Sequence, residues 1–201
     1  MRERNELKIR LVEIIENELE IELTVQQMQF IFSEYEQLVM TAPRRYGKDL
    51  IMAIKIAVRA VMNPNTKIGV ICPTDMSKRM LHEQVLSMLD ILINATDLTA
   101  INTIHINPAY IRTTSDTEIF FFSCIEDEYH VIRGYKFNEV HVMEAAYYKE
   151  GGYLLALLHI TLIITENPLL HMIGTPSMID DNLMRVTMNF DDSAIIAVNR
   201  Q

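Results

Sequence analysis

Several features that mark other classes of protein are absent from this sequence. It has no tryptophan, only two cysteines, and no apolar run close to the ~20 residues of a membrane-spanning helix. Residues 1–23 are charged throughout, which argues against both a signal peptide and a membrane anchor. Cys72 and Cys124 lie in apolar, strand-like segments without metal-ligand spacing, so we expect buried, reduced thiols. Together these absences predict a soluble protein of a cytosol-like compartment.

Long runs of basic residues are also absent, and the formal net charge is −9, from 18 basic and 27 acidic residues. A protein that holds nucleic acid tightly and statically is expected to be basic instead. No nucleophilic triad is evident, since the six histidines are scattered, and His141 and His171 alternate with apolar residues as core or edge positions do. We interpret the acidic clusters 126–128 and 180–181 as solvated loops, while a carboxylate-based nuclease stays open as an alternative.

The length and the apolar content fit one domain. The chain has 201 residues, of which 49% are apolar and 22% charged, and this is enough to bury a single core. Helical periodicity predicts an amphipathic surface helix over residues 3–20 and further helices over 24–33, 49–62 and 77–93. The second of these opens on a capping box from Thr24 to Gln27. On the helix over residues 77–93, the side chains predicted to face inward are Met80, Leu81, Val85, Met88 and Leu89.

Strand patterns alternate with these helices. Apolar strands are predicted over residues 38–41 and 67–72, and the later runs 140–143, 169–173 and 194–198 are of the buried parallel type. Residues 103–106, 110–112 and 118–123 have a strand period and predict a hairpin with one arm in the sheet. The alternation predicts an α/β sandwich in which helices flank a mostly parallel central sheet.

The stretch from Ala42 to Lys48 reads APRRYGK and joins a predicted strand to a predicted helix. This is the context of a phosphate-binding loop, in which backbone N–H groups at the helix start face an anion and Lys48 neutralises phosphate charge. The first glycine of the usual Gly-x-x-x-x-Gly-Lys pattern is missing, and Asp49 stands where a hydroxyl residue normally binds Mg²⁺. The alternative interpretation is a basic turn that begins a helix.

Two later strand ends carry further candidates. Residues 139–146, EVHVMEAA, predict a strand that ends in Glu144, a residue fitted to position an attacking water as a base. Met143 stands where nucleotide hydrolases carry an aspartate that supports Mg²⁺, and a thioether is too soft a ligand for magnesium. Thr175 follows the strand at 169–173 and could sense a γ-phosphate at the same sheet edge. Taken singly, a helix N-cap explains Glu144 and a turn explains Thr175.

Arg133 lies in a loop, residues 130–137, that leads into the strand ending at Glu144. An arginine so placed can supply positive charge to a transferring phosphoryl group. A surface arginine beside the turn glycine Gly134 is an equally good interpretation of the same residues.

Four stretches in this order resemble one family: PRRYGK at 43–48, IRGYKF at 132–137, VHVMEAA at 140–146 and GTPS at 174–177. Over about residues 23–180 the chain is similar to the ATPase domain of the large terminase subunit of tailed bacteriophages and herpesviruses, the motor that pumps DNA into preformed capsids. The resemblance implies a P-loop NTPase fold with residues 1–201 as a single ATPase domain. Residues 1–22 would be its N-terminal amphipathic helix and 23–180 its motif-bearing core, and we expect no nuclease domain in the chain.

The resemblance also implies a role for each candidate residue. Lys48 would bind phosphates, and Arg44 would be the loop arginine that responds to the γ-phosphate. Glu144 would be the catalytic base, and Thr175 with Pro176 would couple hydrolysis to movement. Arg133 would be offered to a neighbouring subunit of a ring. Gln27 matches an adenine-reading glutamine, although its capping-box role explains it equally well. The other implied nucleotide-binding residues are Pro43, Arg45, Tyr46, Gly47 and Asp49.

The resulting prediction is an ATP hydrolase that uses ATP and Mg²⁺ to move double-stranded DNA, without sequence preference, into a capsid. The family implies a portal protein, a small terminase subunit and a homo-oligomeric ring as partners, and no membrane. It implies a location in the host cytoplasm, or in the nucleus for a eukaryotic virus, with a transient stay at the capsid portal. Asp49 and Met143 depart from the family pattern, so either Asp49 is the metal ligand or the site is degenerate. The alternative functions are a helicase-like translocase and a nucleotide-binding or structural subunit.

Overall fold

The computed structural model describes residues 2–96, 101–105, 110–124, 129–162, 168–177, 182–189 and 193–198. The helices in these residues are α1 (Arg2–Leu19), α2 (Val25–Phe32), α3 (Lys48–Met62), α4 (Asp75–Thr96), α5 (Gly151–Leu162) and α6 (Leu183–Met188). The strands are β1 (Gln37–Thr41), β2 (Lys67–Cys72), β3 (Ile101–His105), β4 (Tyr110–Thr113), β5 (Glu118–Ser123), β6 (Glu139–Met143), β7 (Leu169–Gly174) and β8 (Ala194–Ala197). Short 3-10 helices cover Tyr129–Ile132 and Ala145–Tyr147. The acidic clusters 126–128 and 180–181 and the predicted strand position Ile106 lie outside the described residues.

The eight strands form one sheet in the order β3-β4-β5-β2-β6-β7-β1-β8. From β5 to β8 all neighbouring strands run parallel, whereas β4 is antiparallel to both of its neighbours. The predicted mostly parallel α/β sheet is therefore confirmed. The hairpin was predicted with one arm in the sheet, and this is wrong, because β4 and β5 both lie in the sheet and β3 pairs with the outer arm.

Helices cover both faces of the sheet. On one face the buried side chains of α1 to α4 form a single apolar cluster with the strands, and Leu11, Phe30, Ile54 and Leu89 represent the four helices in it. On the other face α5 and α6 contribute Leu154, Leu158 and Leu183 to a second cluster. The layers are thus helix, sheet and helix, which is the arrangement that βα alternation favours.

The N-terminal segment folds as its pattern predicts. Leu11 and Ile15 of α1 are fully buried, and Leu7, Ile14 and Leu19 pack beside them. The α2 helix opens on the predicted capping box: Thr24 Oγ1 accepts from Gln27 N at 3.2 Å, and Gln27 Oε1 accepts from Thr24 N at 2.8 Å. Among the described residues no helix is long and apolar enough to cross a membrane.

Two burial predictions are wrong. Met80 was placed inward on α4, but 52% of it is exposed, whereas Leu81, Val85, Met88 and Leu89 are buried. The buried set defines the inward stripe of the helix, and Met80 lies beside that stripe. The β8 strand was predicted to be of the buried type, but it forms the edge of the sheet and its residues alternate between half-buried and exposed. An apolar run alone does not show whether a strand has a neighbour on each side.

Two long polar side chains of α3, Lys55 and Arg59, hold the helix against its neighbours. Fully buried Lys55 donates to the carbonyl oxygens of Phe30 and Ile31 at the end of α2. Arg59 forms a bidentate ion pair with Glu139 at the start of β6, in which Nε lies 2.9 Å from each carboxylate oxygen. Burial raises the pKa of Glu139, but its contacts with His141 and Arg59 outweigh this effect and lower the pKa to about 2. The helix that begins at Lys48 is therefore fixed to both α2 and β6.

The sequence also predicts buried positions for two histidines and two cysteines. His141 and His171 are both fully buried, as their alternation with apolar residues predicts. Cys72 and Cys124 are both buried, and burial raises the pKa of the Cys72 thiol.

Candidate active site

The loop between β1 and α3 turns the chain sharply into the helix. Gly47 has φ +79° and ψ 28°, a left-handed conformation that glycine adopts at no steric cost. Ala42 N donates to Gly174 O at 3.0 Å, which ties the loop to the end of β7. The first N–H groups of α3 have no partner within the helix, and together with the helix dipole they favour an anion at this point. The loop thus has the local form of an anion-binding site.

Lys48, the first residue of α3, points into the space between three strand ends. Only 8% of it is exposed. Its Nζ donates to Thr175 Oγ1 at 2.9 Å and to Pro43 O at 3.3 Å, and it lies 3.4 Å from Glu144 Oε1. The ammonium group therefore joins the loop after β1 to the residues that follow β6 and β7.

Glu144 follows β6 in a left-handed conformation, with φ 48° and ψ 51°, at the start of a 3-10 helix. Its side chain accepts no hydrogen bond within that 3-10 helix, so the N-cap interpretation does not describe it. Instead, Glu144 Oε2 accepts from Thr175 N at 3.3 Å. Because β6 and β7 are parallel neighbours and β7 is also next to β1, the residues that leave these strands meet at one edge of the sheet.

Asp49 is the second acidic side chain that lines this space. Partial desolvation and then the negative charge of Glu144 raise its pKa, while Lys48 acts in the opposite direction. The two carboxylates are thus close enough to repel each other, and a bound cation would relieve that repulsion. Met143 has a different environment, since it is 3% exposed and packs in the apolar cluster beneath α3.

The cleft around these residues is open and has a volume of about 850 Å³. Arg44, Arg45 and Gly47 line it from the loop, and Pro176 and Ser177 line it beyond Thr175. Among the lining residues that sequence reasoning gave no role are Pro73 and Thr74, which follow β2, and Ala146 and Tyr147, which follow Glu144. Pro73 and Thr74 could have been found only from the sheet order, because β2 lies next to β6 and so ends at the same edge.

Four predicted residues do not line the cleft: Gln27, Pro43, Tyr46 and Arg133. Tyr46 turns back toward α2, and its hydroxyl lies 3.0 Å from Thr24 Oγ1. Gln27 is engaged in the capping box that Thr24 opens. Through Tyr46 and Thr24, therefore, the start of α2 is connected to the loop beside the cleft.

Arg133 is exposed on a different part of the surface. Its guanidinium donates to Tyr153 Oη and lies 6.0 Å from the centre of the Tyr153 ring. It is not among the residues that line the cleft with Glu144 in the same chain.

The side chains that line the cleft fit a metal ion bound together with a nucleotide better than a metal ion held by protein ligands alone. Among the described residues no group of three or more His, Cys, Asp or Glu side chains could hold a metal ion. Asp49 and Glu144 provide two carboxylates, and Mg²⁺ in nucleotide sites is commonly bound by one or two carboxylates together with substrate phosphates. The cleft accordingly fits Mg²⁺ that arrives with a nucleotide.

Comparison with solved structures shows that the chain shares its fold with phage large terminases and with S. cerevisiae dbp5. The resemblance predicted from the sequence is confirmed at the level of the fold, because large terminases, among them an isolated ATPase domain, match at identities that show the fold alone. No protein-family profile and no curated protein matches the sequence.

Three of these structures illustrate the likeness. The HK97 bacteriophage large terminase has a TM-score of 0.73 and 14% identity, and the match covers 94% of this chain and 43% of that one. The Thermus phage P74-26 large terminase ATPase domain has a TM-score of 0.69 and 14% identity, over 90% and 83% of the two chains. The large terminase of a thermophilic bacteriophage in complex with ATP-gamma-S has a TM-score of 0.63 and 14% identity, over 88% and 44%. The chain thus spans less than half the length of the first and third proteins.

Proposed function

We propose that this chain is the ATPase domain of a viral DNA-packaging motor, in which ATP hydrolysis drives double-stranded DNA into a capsid. The observation that carries the proposal is the convergence of Lys48, Glu144 and Thr175 at the start of α3. The likeness of fold to large terminase ATPase domains supports it. In this proposal residues 1–201 are one ATPase domain, with residues 1–22 as its surface helix and 23–180 as the core that bears the motifs.

The roles of the cleft residues follow from their chemistry. The α3 N–H groups, Lys48 and Arg44 bind the phosphates, and Lys48 exchanges its contacts with Glu144 and Thr175 for phosphate oxygens. Glu144, released from Lys48, orients a water and accepts its proton as the water oxygen attacks the γ-phosphorus. The bond from that phosphorus to the β–γ bridging oxygen breaks, leaving ADP and phosphate. Mg²⁺, held by Asp49, would neutralise phosphate charge when bound.

Residues outside the cleft complete the proposal. Arg133 acts on the nucleotide of a neighbouring subunit in a homo-oligomeric ring, and its absence from the lining of its own cleft supports this role. For Gln27, its capping box is the alternative to reading the adenine, although Tyr46 and Thr24 connect the start of α2 to the loop beside the cleft. Thr175 and Pro176 transmit the presence of the γ-phosphate from the cleft to the rest of the chain.

The acidic net charge is compatible with a motor on DNA. A ring touches DNA phosphates through a few loops at a time, so affinity need not be high. The partners in this proposal are double-stranded DNA, a portal protein and a small terminase subunit. The site of action is the host cytoplasm, or the nucleus for a eukaryotic virus, at the capsid portal.

Nucleotide binding tests the proposal directly. We expect wild-type protein to bind a fluorescent ATP analogue and to release phosphate from ATP faster when double-stranded DNA is added. Lys48→Ala should lose the binding, and the matched control Lys149→Ala, which removes an exposed lysine outside the cleft, should keep it. Equal binding by wild type and Lys48→Ala would refute the proposed site.

One observation favours a second candidate, a subunit that binds nucleotide without hydrolysing it. The position that carries a magnesium-supporting aspartate in related hydrolases holds Met143, which is buried in the core. Normal nucleotide binding with no phosphate release, with or without DNA, would establish this candidate instead.

A further inference from the structure

Gly174, the last residue of β7, lies between two other strand ends. Its carbonyl oxygen accepts from Ala42 N at 3.0 Å, in the loop that leads to Lys48. The next residue, Thr175, contacts Lys48 through its hydroxyl and Glu144 through its amide nitrogen. The position of Gly174 relative to its neighbours therefore affects how the cleft residues face each other.

The α-carbon of Gly174 lies close to the turn that follows Glu144. A methyl group added there would lie 2.8 Å from Met184 Cε, 3.0 Å from Ala145 N and 3.4 Å from Ala146 N. The backbone of Gly174 does not have a positive φ, so the conformation itself does not require glycine. Glycine at this strand end instead leaves room for the close approach of another backbone segment.

The contacts that a methyl group would make differ in how easily they can move. Met184 Cε is the free end of a flexible side chain and can turn aside. Ala145 N belongs to the peptide group that joins Glu144 to Ala145, so it cannot move without that peptide group. A methyl group on residue 174 would therefore shift the peptide after Glu144 by a few tenths of an ångström.

The same turn is held at its other end. Glu144 O accepts from Tyr147 N at 2.7 Å, and Tyr148 O accepts from Leu183 N at 3.0 Å, at the start of α6. Glu144 itself has φ 48° and ψ 51°, a left-handed conformation that is uncommon for residues other than glycine. Because the far end is fixed, the shift would fall on Glu144.

We propose that Gly174 is a positioning residue for Glu144, because its missing side chain lets the turn after Glu144 lie against the end of β7. The inference rests on the proposed function, which it deepens by naming the residue that sets the place of the base. A misplacement of about 1 Å at a reacting group can lower a rate by about 10², so a shift of a few tenths of an ångström should lower it by about tenfold.

Gly174→Ala tests the role through steady-state kinetics of phosphate release. We expect kcat to fall by about tenfold, while KM and the affinity for a fluorescent ATP analogue stay within about twofold of wild type. Affinity is kept because Lys48 and the first N–H groups of α3, which would bind the phosphates, do not contact the added methyl group. A kcat equal to that of wild type would overturn the proposal.

Two glycine controls separate positioning from stability. Gly152→Ala places a methyl group with nothing within 4 Å, so it should change neither kcat nor Tm. Gly69→Ala, in β2, places a methyl group 2.9 Å from the Phe137 ring, so it should lower Tm and leave kcat of the folded protein unchanged. If Gly69→Ala lowers kcat as much as Gly174→Ala does, the effect comes from general strain in the sheet and the positioning role is refuted.

A double variant separates the two neighbours of Gly174. Met184→Leu removes Cε and nearly conserves side-chain volume, so it makes room on the α6 side only. In Gly174→Ala with Met184→Leu, kcat should stay as low as in Gly174→Ala alone, because the contact with Ala145 N remains. Recovery of kcat in the double variant would assign the effect to the packing of Met184 and overturn the proposal.

Amide signals in nuclear magnetic resonance spectra test the geometry without turnover. In nucleotide-free protein, Gly174→Ala should shift the signals of Ala145 and Ala146, and Gly152→Ala should not. Unchanged signals in Gly174→Ala would contradict the positioning role even where wild type hydrolyses ATP. Absence of phosphate release by wild type would count against the proposed function instead, so the two failures are distinguishable.

Discussion

Lys48 and Glu144 are far apart in the sequence, yet Nζ and Oε1 lie 3.4 Å apart inside the cleft. The pair is partly exposed through Glu144, so it contributes little to stability. Under the proposed function, the ammonium group that would bind a phosphate is paired with the carboxylate that would act as base. In the proposed function, nucleotide binding would break this pair and would free Glu144 when the substrate arrives.

The first prediction concerns affinity. Glu144→Gln removes the competing charge from Lys48 and the like charge that faces Asp49, so ATP should bind about two- to tenfold more tightly than to wild type. A titration with a fluorescent ATP analogue measures the change. Glu150→Gln, which alters an exposed glutamate outside the cleft, should bind as wild type does. Weaker binding to Glu144→Gln would show that the carboxylate is needed to hold the nucleotide.

The second prediction concerns Asp49 and magnesium. Without metal, Asp49 should repel a γ-phosphate by about 4 kcal/mol for charges ~4 Å apart at an effective dielectric near 20. ATP affinity should therefore depend strongly on Mg²⁺, and Asp49→Ala should weaken binding when Mg²⁺ is present. Calorimetric titrations of both proteins with and without Mg²⁺ measure this dependence.

Because the pKa of Asp49 is raised, metal-free ATP binding should also depend on pH. The repulsion exists only when the carboxyl is charged, so metal-free binding should improve as pH falls through that raised pKa and should not do so in Asp49→Ala. If binding is independent of Mg²⁺ and Asp49→Ala tightens it, Asp49 is not a metal ligand and the site is degenerate.

The third prediction concerns the ion pair that anchors α3. Glu139→Gln leaves Arg59 buried without its carboxylate and should lower the free energy of unfolding by about 3 kcal/mol near pH 7. For a chain of this size that corresponds to a fall in Tm of roughly 6–12 °C, measured by thermal denaturation. Asp116→Asn, which breaks an exposed pair with Arg112, should change stability by less than about 1 kcal/mol.

The pH dependence of stability checks the same pair. The pKa of Glu139 is lowered from 4.5 to about 2, so its contribution is complete above pH 4.5 and is lost as pH falls toward 2. Wild type should lose this contribution over that range, and Glu139→Gln should not. Parallel losses in the two proteins would assign the acid sensitivity to other groups.

The local structure was predictable from the sequence because its signals are local. The strand Lys67–Cys72 has the predicted bounds, and the helix after Gly47 begins within a residue of its predicted start. The capping box at Thr24 formed because its two partners are three residues apart. Patterns of this kind depend on backbone chemistry within one or two turns.

The arrangement in space was not predictable in the same way. Glu144 read alone looks like a helix N-cap, and only the adjacency of β6 and β7 brings it to Lys48. Pro73 and Thr74 carried no signal, because their place in the cleft depends on the position of β2 beside β6. Arg133 lies only a short loop before β6, yet that loop directs it to Tyr153 rather than to the cleft. Strand order and loop direction depend on long-range packing, which a short sequence motif does not predict.

The most direct test of the central claim is phosphate release from ATP by wild-type protein and by Glu144→Gln, with Mg²⁺ and double-stranded DNA present. If Glu144 is the base of an ATP hydrolase, wild type and the control Glu150→Gln should turn over ATP, and Glu144→Gln should be slower by about 10² or more while it still binds ATP. Turnover by Glu144→Gln equal to that of wild type would contradict the account.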